Sequence, residues 1–270
     1  MNLKTLKATF KRNLTIHIRA YPKDFFISSV IGSIYTALSA YFIYYLLFNG
    51  SVNASFSSFS GTSDYMSYVI LGNCMYLYVV RTCLNVSRSL ITEKREGTLE
   101  SLMLAPFKRV QYFVGNMFEQ TITTTCEMII TVLVAMPFGL SFGGINVLSA
   151  MLAFLVSLFA YFSLSLILAS IMLYFNDTYI SQNTLFALLF LVCGVTFPVQ
   201  YLPQSLQIIS KIIPVTASID LVRNSVISGA GIMQQGKDFI EVIALSLMYC
   251  LVGFKLLKKV EIIALEKINM

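Results

Sequence analysis

Long apolar runs alternate with short polar interruptions along this chain, and the lengths of the runs decide the architecture. Apolar residues dominate Phe26–Phe48, Tyr65–Val86, Tyr112–Met136, Val147–Phe175, Tyr179–Phe197 and Phe239–Leu257. Each run is near or above the ~20 residues that cross ~30 Å of hydrocarbon as a helix. Inside lipid every backbone N–H and C=O needs a partner within the protein, and runs this long meet that need as helices, not as barrel strands. The pattern predicts six transmembrane helices. Ahead of them Leu3, Leu6, Phe10, Leu14 and His17 recur at three- and four-residue steps, while Lys4, Lys7, Lys11 and Arg12 lie off that stripe. Residues 1–22 therefore read as an amphipathic helix lying on the membrane, broken by Pro22 before the chain turns into the bilayer.

The interruptions differ from one another. Ile91–Arg109 holds the densest run of charge between two apolar segments. Thr92 with Glu93 and Glu96 reads as a helix start, Leu99, Leu102 and Met103 fall on one face, and Pro106 ends the element. The result is a short amphipathic helix at the membrane surface; the plain alternative is a solvated loop. Asn49–Asp64 is rich in Ser and Gly, lacks Lys and Arg, and reads as a flexible connector. Gly139–Asn146 and the turn near Asn176–Asp177 are too short for a soluble domain. In the last interruption Pro198, Pro203 and Pro214 divide the chain. Leu202–Ile213 and Pro214–Ile227 each read as a short helix opened by proline, forming a re-entrant or surface-lying hairpin that must pack against protein. Within it Asp220 and Arg223 share a helical face and can pair, while Ile219, Val222 and Val226 turn inward; the hairpin is expected to be extracellular and to pack against the ends of the fifth and sixth runs as a gate, with Arg223 anchoring it to polar backbone or a neighbouring helix.

Composition agrees with the pattern: 57% of residues are hydrophobic, 12% are charged and the mean hydropathy is +0.76. Charge fixes the orientation. Fifteen of the 19 Lys and Arg fall in the N-terminal segment, the loop after the second run and the C-terminal tail. The positive-inside rule then makes both termini and that loop cytoplasmic, in the plasma membrane. The net charge of +6 serves topology and contact with membrane lipid, and predicts no nucleic-acid surface. Phe25–Phe48 is too long for a signal-peptide core and reads as a retained first span. The five cysteines are scattered singly through apolar runs and His17 is the one histidine, so no metal site is predicted.

Charges within the spans are costly and default to functional hypotheses. Arg81 and Glu119 lie at matching depths in the second and third runs and predict an ion pair, either a structural clamp or a substrate contact. Glu127, among Thr121, Thr123, Thr124 and Thr125, has no evident depth-matched cation; it is either protonated and hydrogen-bonded or faces a wet cavity that takes a cationic substrate. Aromatic residues of Tyr35–Phe48 and Tyr65–Tyr78 read as an interfacial belt or a substrate-facing wall. No HExxH, GxSxG or carboxylate–histidine set occurs, which argues against a membrane-embedded enzyme, and no filter-like sequence suggests a channel. Gly231–Asp238 approaches a Walker sequence, but it has Asp where Ser or Thr must reach Mg²⁺.

The order Glu93-Lys-Arg95-Glu96-Gly97-Thr98-Leu99-Glu100, then Leu102 and Ala105-Pro106, resembles the loop between the second and third spans of ABC-2 type export permeases. Cys193-Gly-Val-Thr-Phe-Pro198, Leu202-Pro203, and Pro214 followed by Thr216, Asp220 and Arg223 are similar to the signature that closes those permeases. Two positions depart from it: Ile213 stands where Asn is frequent before the proline, and Asp220 where Glu is usual. The resemblance implies an all-α integral membrane protein forming a single transmembrane domain over residues 1–270. A six-helix membrane part over 26–257 would be flanked by the interfacial helix and a cytoplasmic tail at 258–270. It implies a coupling helix that docks on a separate cytoplasmic ATPase holding ATP and Mg, and pairing with a second permease subunit, identical or similar. The loop looks more like the drug-efflux branch, which implies a drug, peptide or lipid cargo; the polysaccharide branch is the alternative.

Overall fold

The computed structural model describes residues 3–20, 22–104, 109–175 and 180–266. Eleven α-helices follow in order among these residues: α1 Leu3–Ala20, α2 Pro22–Phe42, α3 Ala54–Ser60, α4 Tyr65–Arg95, α5 Leu99–Leu104, α6 Arg109–Ala135, α7 Val147–Phe175, α8 Ile180–Val192, α9 Gln204–Ile212, α10 Pro214–Val226 and α11 Gly236–Glu266. A π-helical turn, Ile43–Leu47, continues α2. Four helices, α4, α6 with its 3-10 extension, α7 and α11, are long and apolar enough to cross a membrane; α9 and α10 together make a broken apolar pair bent by 83°. The molecule is an all-α, multi-pass membrane protein. Apolar side chains exposed along α6 (Phe118, Ile122, Ile129, Leu133), α7 (Leu148, Met151, Leu155) and α11 (Ile240, Leu247, Leu251) form the surface that lipid covers.

α4 and α7 pack together at the centre. α11 and α10 lie against α7, whereas α6, α2 and α1 are layered beside α4. α7 is the most apolar helix, yet Ser157, Ser163, Ser165 and Ser170 along it are buried. Their hydroxyls donate to carbonyls three or four residues back, at 2.6–2.9 Å, which satisfies them within the helix and leaves small side chains where neighbours approach closely. Between α7, α10 and the turn before α11, polar contacts stitch buried backbone: Ser218 Oγ donates to Tyr161 Oη at 3.1 Å, and Gln235 Nε2 reaches Ser225 Oγ at 3.0 Å.

Several expectations change. Asn49–Asp64 is not a plain connector: Asn53 and left-handed Gly61 bound α3, whose Phe56 is buried against Tyr65 and Tyr68. Serine-rich composition hid a single anchoring ring. The fifth apolar run does not continue as helix to Phe197. α8 ends at Val192 because Gly194 takes φ +69°, and its 13 residues span only ~20 Å. The proline hairpin exists with Pro203 capping α9 and Pro214 in the first turn of α10. Its main support is α7 together with α11, not the fifth run. α10 is largely buried, while α9 leaves Ile208, Ile209 and Ile212 exposed.

Candidate functional site

Polar residues recur along one face of α6 at three- and four-residue steps: Asn116, Glu119, Gln120, Thr123, Thr124, Glu127 and Thr131, all of them buried. A polar stripe inside an apolar helix is costly unless a neighbour answers it, and α4 does so. Tyr78 Oη donates to Thr125 Oγ1 at 2.8 Å, and Asn85 Nδ2 donates to Gln120 Oε1 at 2.8 Å and Glu119 Oε2 at 3.2 Å. These bonds fix the antiparallel register of the two helices. Arg81 Nη2 bonds Glu127 Oε1 at 2.8 Å, so the expected Arg81–Glu119 pair is replaced by Arg81–Glu127, and Glu127 has its cation. The reason is the tilt of side chains toward a helix's own N-terminus. Arg81 leans toward the Tyr65 end of α4 and Glu127 leans back toward the Arg109 end of α6, so they meet; Glu119 leans away from Arg81 and meets Asn85.

α1 and α2 close the flank of this seam. Ser33 Oγ and Thr131 Oγ1 share a hydrogen bond of 2.8 Å, and Asn13 Nδ2 donates to Asn116 Oδ1. Gly115 lets α1 approach α6, since a Cβ there would lie 3.0 Å from Thr9 Cβ. Two cavities result. One of about 220 Å³ is lined by Ser33, Thr36, Asn73, Tyr76 and Glu127. The other, of about 570 Å³, opens between α1, α4 and α6 and is lined by Arg12, Asn85, Arg88, Glu93, Tyr112 and Glu119 among others. Arg81 borders both.

At the α5 end of the larger cleft one carboxylate ties four elements. The Glu93 side chain, 6% exposed, accepts from Arg12 Nη2 of α1 at 2.8 Å, Tyr112 Oη of α6 at 3.0 Å and Thr98 Oγ1 at 2.5 Å. Burial alone would lower the Arg12 pKa, but the bonded Glu93 and the nearby Tyr112 outweigh it and raise it above the usual guanidinium value. The expected helix start at Thr92 and Glu93 is instead the last turn of α4, which runs to Arg95 with Glu96 as its cap. The apolar pattern continues through residue 91, so the span helix simply extends. Gly97 at φ +72° then turns the chain, and Thr98, whose carbonyl accepts from Leu102 N at 2.9 Å, opens α5. Leu99 is buried among Leu90, Tyr112 and Phe113, with Leu102 against them. Arg95, Glu96, Gly97 and Glu100 face outward. Pro106 lies outside the described residues.

At the opposite end Arg223, 3% exposed, forms a second hub. Its Nε donates to Tyr68 O at 3.1 Å, Nη1 to Gly194 O at 2.8 Å, and Nη2 to Val195 O at 2.5 Å. Asp220 Oδ1 is 3.4 Å away, and the Tyr68 ring centroid lies 3.6 Å from Cζ. A Cβ on Gly72 would fall 2.0 Å from Arg223 Nη2 and 2.1 Å from Val195 O, so this crossing admits only glycine. Pro198 precedes the 3-10 turn Val199–Tyr201 beside this hub. Among the described residues no group of His, Cys, Asp and Glu could hold a metal ion.

Arg12, Asn85, Asn116, Gln120 and Tyr112 belong to the site although the sequence reading assigned them no part in it. The three- and four-residue recurrence of polar side chains through the third apolar run was the available signal. Compared with known proteins, residues 6–227 match the family described as ABC-2 type transporter. No curated protein matches the chain.

Proposed function

Because the chain belongs to the ABC-2 type transporter family and is its membrane permease component, we propose that it is the permease of an ATP-driven exporter, with α5 as the element that docks a cytoplasmic ATPase. ATP and Mg would be held by that partner. In this reading the α5 end is cytoplasmic, as the distribution of Lys and Arg favours, α2, α4, α6, α7, α8 together with the chain that flanks it, and α11 supply six crossings of the plasma membrane, and a second permease subunit completes the assembly. The cargo is hydrophobic or amphipathic and moves along the α4–α6 seam.

The observation that carries this reading is the Glu93 junction. The exposed turn Arg95–Thr98 sits on a carboxylate bonded to α1, α6 and Thr98, three neighbours that border or adjoin the larger cleft. Displacing α5 must therefore move the walls of that cleft. Co-expression and co-purification with candidate ABC ATPases encoded in the same genome test the proposal. Glu96→Ala and Glu100→Ala should weaken the complex and uncouple ATP hydrolysis from transport while the permease stays folded. Absence of any complex, or indifference to both substitutions, would remove α5 from this role.

A further inference from the structure

The charges around the larger cleft are arranged unequally. Glu93 and Glu119, which line it, and Glu127 behind Arg81 are withdrawn, with the side chains of Glu93 and Glu127 6% and 5% exposed and Glu119 1% exposed, whereas Glu96 is exposed at the α5 end. Their arginine partners stand forward, with the Arg12 and Arg81 side chains 50% and 39% exposed. Arg81 uses Nη2 on Glu127; its Nε and Nη1 make no hydrogen bond among the described residues. Arg88 lines the same wall, two helical turns from Arg81 on one face of α4. A ligand in this cleft meets the positive charge and the remaining N–H groups that Arg81 offers. The cleft also has apolar wall, Ile16 on α1 and Leu84 on α4, and Ile16 is 54% exposed.

We propose that the cleft binds the anionic head group of an amphiphile, a phosphate or carboxylate carrying an apolar chain, and that this anion competes with Glu127 for Arg81. Planar guanidinium groups present paired N–H donors that match both anions, and hydrogen bonds between charged groups are the strong ones. The chain would leave along Ile16 into the cytoplasmic leaflet. This names the cargo class and rests on reading the cleft as the inner end of the transport path. A cationic cargo, the class that an unpaired Glu127 would have suited, finds that carboxylate already occupied.

The full chain in phosphatidylcholine nanodiscs, without ATPase or ATP, is titrated with dodecyl phosphate and with dodecyltrimethylammonium. Dodecyl phosphate should bind saturably and at least about tenfold tighter, as one charged hydrogen-bond set implies. Arg81→Gln should weaken it about tenfold. Glu127→Gln, which releases Arg81, should tighten it several-fold, an effect of opposite sign that a merely structural pair does not give. Should Arg81→Gln fail to fold, the double variant Arg81→Gln with Glu127→Gln removes both charges and should also lose binding. Equal affinity for the two probes, unchanged binding in Arg81→Gln, or weaker binding in Glu127→Gln each overturns the proposal. Adding phosphatidylglycerol separates the sources of the anion: competition identifies a leaflet lipid, and its absence identifies a distinct anionic cargo. A chain that binds dodecyl phosphate but never couples to an ATPase would refute the exporter reading alone.

Discussion

Arg223 and Arg81 each place a guanidinium among apolar helices, where a charge is costly, and the protein deals with them in opposite ways. Arg223 is held almost fully buried although it borders a cavity of about 390 Å³: three backbone carbonyls from α4 and the turn after α8 take its N–H groups, and the Tyr68 ring covers its plane. Arg81 has one carboxylate and two cavities. Carbonyls neither titrate nor move away from their backbone, so the Arg223 end is locked. A carboxylate beside open volume can change partners, so the Arg81 end can respond to what enters it. The difference separates a fastening from a working group, and it can be tested by how much each residue matters to the fold.

The largest effect is expected at Arg223. Arg223→Gln leaves buried carbonyls of Tyr68, Gly194 and Val195 short of donors, at a cost of about 3–5 kcal/mol. Thermal unfolding of the purified chain in detergent should fall sharply or the chain should fail to accumulate. Arg223→Lys should rescue little, since one ammonium cannot span carbonyls on separate elements. Gly72→Ala comes next. The added methyl meets backbone at Val195 O, which cannot rotate away as a side chain does, so the cost should sit near the top of the ~1–3 kcal/mol range for overpacking. An unaltered melting temperature in Gly72→Ala would mean that α4 and α10 separate easily, and the Arg223 hub would no longer count as locked.

Glu93→Gln is intermediate. The amide keeps the shape, and one oxygen still accepts from Tyr112 or Thr98, but the charge that holds Arg12 is gone. Arg12 is half exposed, so that pair contributes at most about 1 kcal/mol, and loss of the remaining charge-assisted bonds brings the total to about 1–2 kcal/mol. Stability should drop modestly, whereas cross-linking between cysteines placed on α1 and α5 should drop strongly, because the junction is what keeps those elements in step. Unchanged cross-linking would show that Leu99 alone holds α5.

What the sequence made legible follows the same division. Apolar runs and prolines are local signals, so the long helices, α5, and the bent pair at Pro214 were readable before any coordinates. The start of α5 was misplaced because Thr92 and Glu93 satisfy a helix start in composition while the helix of α4, apolar up to residue 91, carries on past them to Arg95. Arg81 was given the wrong carboxylate because depth along two helices says nothing of the lean of their side chains. The Arg223 hub was legible as an i,i+3 pair with Asp220 and as an anchor to polar backbone or a neighbouring helix, but which carbonyls it takes, those of Tyr68, Gly194 and Val195, was not, because a carbonyl has no signature in residue type. Gly72 shows the same limit, since a glycine required by a crossing looks like any other glycine in an apolar run.

The smallest effect on the fold is expected at Arg81, and it decides whether the comparison holds. Removing one member of a fully buried ion pair commonly costs about 3–5 kcal/mol, because the partner is left charged without water. Glu127 is not so confined. It borders a cavity of about 220 Å³, far above the ~30 Å³ share of one water, and solvent can satisfy it there. Arg81 itself is 39% exposed, so much of its hydration is already retained. Arg81→Gln should therefore lower stability by about 1 kcal/mol or less, with the melting curve close to that of the unaltered chain. Transport in the assembled complex should nevertheless fall severely, since the group that meets the cargo is gone. A stability loss as large as that of Arg223→Gln would show that Arg81 is a second fastening, and would leave the α4–α6 seam as helix glue.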